Sequence, residues 1–178
     1  MLLSETRAQS RLESAVYVFS FSILMGLLAR LSVPLPFTPV PVTGQTLGVL
    51  LAGLVLGPHR GALAMLLYLA EGAAGLPVFS PAGAGGVAQL FGPTGGFLMA
   101  YPPAAFVTGW LASRLKVVSA ALLAGLAVIF SLGAAWLALV FPPARQGLLA
   151  AAVWPFLPGE LLKVLAALGL SRFLRKSS

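Results

Sequence analysis

Cysteine, asparagine and aspartate are absent from this 178-residue sequence, and histidine occurs once, at His59. Without cysteine there are no disulfides and no thiolate metal sites. Four glutamates are the only carboxylates, so metal centres and acid–base dyads have little raw material; no metal or cofactor is expected. Serine, histidine and acid are too sparse and scattered for a nucleophile triad, and no catalysis is expected. Charge of either sign is scarce: 8% of residues, against about 25% in soluble globular domains. A chain this poor in charge cannot cover its own surface in water. Lipid as solvent removes the difficulty.

What is present is apolar, 59% of the residues, and it comes in long runs. A bilayer core of about 30 Å needs about 20 helical residues. The runs cover residues 14–31, 43–56, 62–75, 96–112, 117–141 and 147–174. The first is longer than the apolar region of a cleaved signal peptide, and no clean small-residue cleavage site precedes the next segment. The two runs of fourteen residues need tilt, thinning or help from flanking turns. Pro102-Pro103 interrupt the fourth. Pro155 and Pro158 divide the last into a short outer helix at 147–154 and a span from about Gly159. The runs are continuous rather than alternating, which argues against a membrane barrel. The expected fold is all-α, a single transmembrane domain over residues 1–178 with about six spans.

The net charge of +7 is distributed unevenly. With six spans, Arg7, Arg11, Arg60, Arg114, Lys116, Arg172, Arg175 and Lys176 fall on one side, and the other side has Arg30 and Arg145. Lysine and arginine in short loops mark the cytoplasmic side. The expected location is the cytoplasmic (inner) membrane, multi-pass, with both termini cytoplasmic. The basic residues then orient the chain and meet anionic membrane lipid rather than nucleic acid. The Pro- and Gly-rich stretches at 33–42, 76–95 and 142–158 fall on the outer side. Pro34, Pro36, Pro39 and Pro41 would stiffen the first of them into a lid. Non-helical backbone at a membrane is tolerated where it lines a cavity, so a binding site opening outward is expected beneath these loops.

Arg30, Glu71, Glu160 and Lys163 lie within the apolar stretches, where an ionisable residue suggests function by default. Arg30 sits at a helix end and can snorkel. Glu160 and Lys163, three apart after Pro158, share one face of a helix near its start. They could contact a ligand: the helix N-terminus and Lys163 would hold an anion, and Glu160 would accept from ligand N–H groups. They could equally form an ion pair that neutralises both charges. Small residues recur at four-residue spacing, Ser22 and Gly26 in the first span and Gly44, Gly48 and Ala52 in the second. Such faces allow close helix approach, inside the chain or onto a partner. The glycines at 83, 85 and 86 are not followed by Lys-Ser or Lys-Thr and make no P-loop, so the chain supplies no ATPase.

Several motifs in order carry a resemblance. Pro36-Phe37-Thr38-Pro39-Val40-Pro41-Val42-Thr43, Gln45-Thr46-Leu47-Gly48, Gly57-Pro58-His59-Arg60-Gly61, Gly75-Leu76-Pro77-Val78-Phe79, Gly92-Pro93-Thr94-Gly95-Gly96 and Pro158-Gly159-Glu160-Leu161-Leu162-Lys163 resemble the BioY family over nearly the whole chain. BioY proteins are biotin-specific substrate-binding (S) components of energy-coupling factor (ECF) transporters. The resemblance implies six transmembrane helices, a high-affinity biotin pocket near the outer face, and as partners a transmembrane coupling subunit and two ATPase subunits. It assigns Glu160 and Lys163 to the polar ligand contacts at the start of the last helix. The family's acid is usually Asp, and relatives use an Asn that this chain lacks. Gln45 and Thr43 are further polar candidates, and Phe79, Phe91, Tyr101 and Trp154 are candidates for apolar wall. Ser22 and Gly26 would be the partner-docking positions on the first helix, where the family favours alanines. An S component for another small vitamin, a membrane enzyme acting on a lipid or isoprenoid, and a purely structural subunit are the competing readings.

Overall fold

The computed structural model describes residues 2–115 and 117–176. Lys116, one of the orienting charges, lies outside the described residues, as do the side chains of Arg7, Arg172, Arg175 and Lys176. The first helix, α1 (Leu2–Arg30), ends on a basic residue, which suits the negative end of the helix dipole. A two-stranded antiparallel hairpin follows, β1 (Ser32–Leu35) and β2 (Thr38–Thr43), with Val33 opposite Val42 and Ser32 opposite Thr43. The stiff lid expected at 33–42 is therefore a β-hairpin, a local departure from an all-α chain. Prolines alternate with apolar residues along it, and among the described residues no third strand needs the N–H groups they lack.

Helix α2 (Gln45–Ala73) is a helical hairpin rather than one long rod. Gly57 breaks it with φ 79° and ψ 179°, a conformation that glycine adopts without steric cost. Pro58 then restarts the helix, where its missing N–H costs nothing. The two arms run back along each other. A Cβ on Gly61 would lie 2.9 Å from the Ala52 carbonyl oxygen, and the Gln45 Nε2 lies 2.6 Å from the Tyr68 hydroxyl. In a straight helix those last two residues would be about 35 Å apart.

Two short helices, α3 (Gly86–Phe91) and α4 (Gly95–Met99), lie within and after the Gly-rich stretch. Helix α5 (Tyr101–Arg114) carries Pro102 and Pro103 in its first turn. The α4–α5 junction keeps its hydrogen bonds at Ala100, whose N–H reaches Gly96 and whose carbonyl receives Ala104. The prolines loosen this leg without ending it. Helix α6 (Val118–Val140) is long and uniformly apolar. A 3-10 turn (Pro142–Gly147), α7 (Leu148–Ala152) and α8 (Leu157–Lys176) complete the chain. The segment around α7 bends by 48° into α8.

By length and apolarity α1 and α6 can each cross a membrane, the apolar 29 residues of α2 fold back into two shorter arms, and the bent pair ending in α8 is a further candidate span. Counting the two arms of α2 separately, and α4–α5 as one leg, the described residues contain about six helical legs, as expected from about six spans. The legs pack through small residues. A Cβ on Gly53 would lie 2.5 Å from the Ala105 carbonyl oxygen, and one on Gly109 would lie 2.6 Å from the Gly53 carbonyl oxygen. Backbone therefore meets backbone where α2 crosses α5, the contact that small residues permit in lipid. Gly109→Val is expected to cost about 1–3 kcal/mol by overpacking, read as a lower thermal midpoint of the detergent-purified chain. Gly169→Ala, where an added Cβ meets nothing within 4 Å, is expected to leave the midpoint unchanged or raise it.

Candidate functional site

The start of α8 builds the polar centre. Pro158 and Gly159 lead into Glu160, whose N–H bonds to the Phe156 carbonyl at 2.9 Å. That amide is consequently not available to an anion, contrary to the expectation of an open helix end. Glu160 is buried, and one turn on Lys163 reaches back to its Oε1 at 2.6 Å. An ammonium has three protons. Lys163 places them on Glu160 Oε1, on the Thr43 carbonyl at 2.5 Å and on Thr46 Oγ1 at 2.8 Å. Thr46 in turn donates to Glu160 Oε1 at 2.8 Å. Every proton of the lysine is therefore used inside the chain. Glu160 Oε2 is different: it is buried and accepts from no group among the described residues.

Glu160 lines a narrow cavity. Its volume is about 50 Å³. Val40, Phe97, Tyr101, Ile129, Phe130 and Phe156 make the apolar wall. Thr43, Gln45, Thr46, Ser80, Gln89 and Thr94 supply polar atoms around it. The Gln45 amide nitrogen donates to the Tyr68 hydroxyl, which passes its own proton to the Val78 carbonyl at 3.2 Å. This chain fixes the amide's orientation and leaves Gln45 Oε1 as a free acceptor. Gln89 accepts from the Gly85 N–H at 3.1 Å, which leaves its Nε2 as a free donor. A cavity with two unspent acceptors, one unspent donor and aromatic walls suits a small, mostly apolar ligand bearing a few polar groups.

Three loops close over this cavity. Ser32 and Ser80 share a hydrogen bond of 2.8 Å, joining the β-hairpin to the 76–95 segment. Thr38 Oγ1 donates to the Ala151 carbonyl at 2.6 Å, joining the hairpin to α7. Trp136 Nε1 donates to the Gly92 carbonyl at 2.9 Å and holds the middle segment to α6.

The structure gathers Glu160, Gln45, Thr43 and Tyr101 at the cavity and places Lys163 immediately behind Glu160. Phe79 is buried one layer away, edge-on to Tyr68 with ring centres 5.4 Å apart. Phe91 and Trp154 are exposed and form no part of the wall. Ser22 and Gly26 lie on the side of α1 that packs toward the rest of the chain, Gly26 only half-buried. Ser22 is fully buried with its hydroxyl on Glu71, and a Cβ on Gly26 would meet Val78 at 3.4 Å. Ile23 and Leu27 face outward. Arg30 bonds the Pro77 carbonyl and ties the end of α1 to the following loop. Thr46, Gln89, Phe97, Phe130 and Phe156 were not anticipated. For Gln89 a signal existed: among the apolar runs and the loops between them, from 14 to 141, it and Gln45 are the two amide side chains.

A helical membrane chain with an apolar cavity closed over by loops from one side belongs among the polytopic membrane proteins that enclose a small solute. The particular family follows from comparison with known proteins. The BioY family model matches residues 4–178, and the chain belongs to that family. It is 44% identical over 163 residues to the biotin transporter BioY of Rhodobacter capsulatus, covering 79% of this chain and 85% of that one. It is 42% identical over 166 residues to the biotin transporter BioY of Rhizobium etli, covering 84% of each. Its fold is similar to the crystal structure of an S-component for biotin from an ECF-type ABC transporter. The TM-score is 0.83 at 28% identity, over 94% of this chain and 93% of that one.

The ion pair generates its own test. Lys163→Met leaves a buried carboxylate without its cation and is expected to destabilise the chain by about 3–5 kcal/mol. Glu160→Gln combined with Lys163→Met removes both charges and is expected to recover most of that loss. Thermal unfolding of the two variants in one detergent checks the order.

Proposed function

We propose that this protein binds biotin in the cavity beneath the β-hairpin and takes it up across the cytoplasmic membrane as the S component of an ECF-type transporter. The observation that carries the site assignment is the unpaired Glu160 Oε2. A buried carboxylate oxygen without a donor is costly, and a ligand N–H aimed at it relieves the cost. The ureido ring of biotin offers two N–H groups and one carbonyl oxygen. Glu160 Oε2 and Gln45 Oε1 are acceptors for the first two, and Gln89 Nε2 is a donor for the third. Gln89 thus supplies an amide where relatives use asparagine. Thr43 and Tyr101 complete the polar and aromatic surround, and Phe97, Phe130 and Phe156 receive the apolar parts of the ligand. Lys163 acts as a positioning residue that orients the Glu160 carboxylate, and Phe79 backs the Tyr68–Gln45 pair.

The role is binding and transport rather than catalysis. Energy comes from partners, a transmembrane coupling subunit and two ATPase subunits, because this chain has no phosphate-binding loop of its own. Both termini and the turn at Gly57–Arg60 face the cytoplasm, and the β-hairpin faces outward.

Calorimetric titration of the purified, detergent-solubilised chain tests the ligand. Saturable biotin binding tighter than about 1 μM, roughly −8 kcal/mol, is expected, with no heat from thiamine or riboflavin. Glu160→Gln, which puts a donor where an acceptor is needed, is expected to weaken binding at least about tenfold. Absence of biotin binding by folded protein rejects the assignment.

The lack of native cysteine makes orientation directly testable. In spheroplasts, a membrane-impermeant maleimide is expected to label Gln146→Cys and to leave His59→Cys unlabelled until the membrane is opened. The reverse pattern overturns the topology.

A further inference from the structure

A second concavity lies far from the biotin cavity, between the N-terminal half of α1 and the second arm of α2. The two helices run in the same direction. Ser22 meets Glu71, Arg30 meets Pro77, and Arg11 and Arg60 both line the far end. Between those ends the helices part and leave a groove of about 930 Å³. Ala15, Val18, Phe19, Leu63 and Leu67 give it an apolar lining. Its extent along α1, from Arg11 to Ser20, is about 14 Å, close to half the roughly 30 Å hydrocarbon core. Among the described residues no carboxylate lines it, and neither arginine is paired with one.

We infer that this groove is a binding site for one anionic phospholipid, with an acyl chain along α1 and α2 and the phosphate between Arg11 and Arg60. The match is in length, polarity and charge. The groove is about one leaflet deep, it is mostly apolar with Ser14 and Ser20 along it, and at its end stand two guanidiniums that pair with no carboxylate among the described residues. Guanidinium pairs with phosphate through parallel hydrogen bonds. Basic pockets between membrane helices at the cytoplasmic surface are where acidic headgroups collect. With the topology proposed above, the arginine end lies at that surface. The lipid would fill the gap that α1 and α2 leave open and so hold the free half of α1 against the bundle.

Native mass spectrometry of the full chain, released from detergent with added phosphatidylglycerol or phosphatidylcholine, tests the site. One phosphatidylglycerol per chain is expected to be retained, at least about tenfold better than phosphatidylcholine. Arg11→Gln with Arg60→Gln is expected to lower that retention about tenfold or more. Ala15→Phe, which narrows the groove and leaves both arginines, is expected to do the same. Arg114→Gln, outside the groove, is expected to change nothing. Thermal midpoints within error of the parent chain certify that the variants are folded. Equal retention of the two lipids overturns the assignment, as does a phosphatidylglycerol complex that survives either groove change. Survival of that complex together with lost uptake in cells would give the groove to a protein partner instead.

Discussion

An ammonium among apolar neighbours has to find an acceptor for each of its protons, and Lys163 finds them on three different segments. The end of β2 offers the Thr43 carbonyl, the first turn of α2 offers Thr46, and α8 offers Glu160. One cation thereby joins the hairpin, the second leg and the last leg at a single point. The carboxylate it pairs with is neutralised through one oxygen only. The same contact that fixes the end of the fold therefore leaves the other oxygen buried with no donor among the described residues. Fold and site are coupled here through a single residue, because the oxygen not needed for the ion pair is the one available for chemistry.

Around that point the structure separates a stiff part from a looser one. The legs meet through glycine, with backbone against backbone at Gly53 and Gly109. Such contacts leave little room for adjustment. The segments above the cavity are joined by single hydrogen bonds, Ser32 to Ser80 and Thr38 to Ala151. A net contribution of about 1 kcal/mol for each such bond is small beside the packing of the legs. The hairpin and α7 are therefore held less firmly than the bundle beneath them.

Much of this was legible in the sequence, and the rest was not for identifiable reasons. The legs follow from apolar runs cut by Gly57-Pro58, by Ser113-Arg114 and by Pro142-Pro143, because lipid forces each run to satisfy its own backbone. Glu160 and Lys163 stood out as charges where charges are costly. What they contact was hidden, since Thr46 and Glu160 lie 114 positions apart and meet only in the folded chain. The strands at 32–43 carried a period-two alternation of proline with valine and leucine, but proline's reputation as a strand breaker masked it. Ser22 and Gly26 show a different limit of sequence pattern. Four-residue spacing places them on one face of α1 and does not say which way that face turns; the hydroxyl turned inward because Glu71 was there to receive it.

The fold-back at Gly57 reaches beyond the turn itself. Arms of 12 and 16 residues stand only about 18 and 24 Å tall, against a hydrocarbon core of about 30 Å. Arms shorter than the core are accommodated by thinning of the lipid or by the segments that flank them. The arm that begins at Gln45 is the shorter of the two, and the β-hairpin that leads into it at Thr43 carries the chain on beyond its N-terminal end.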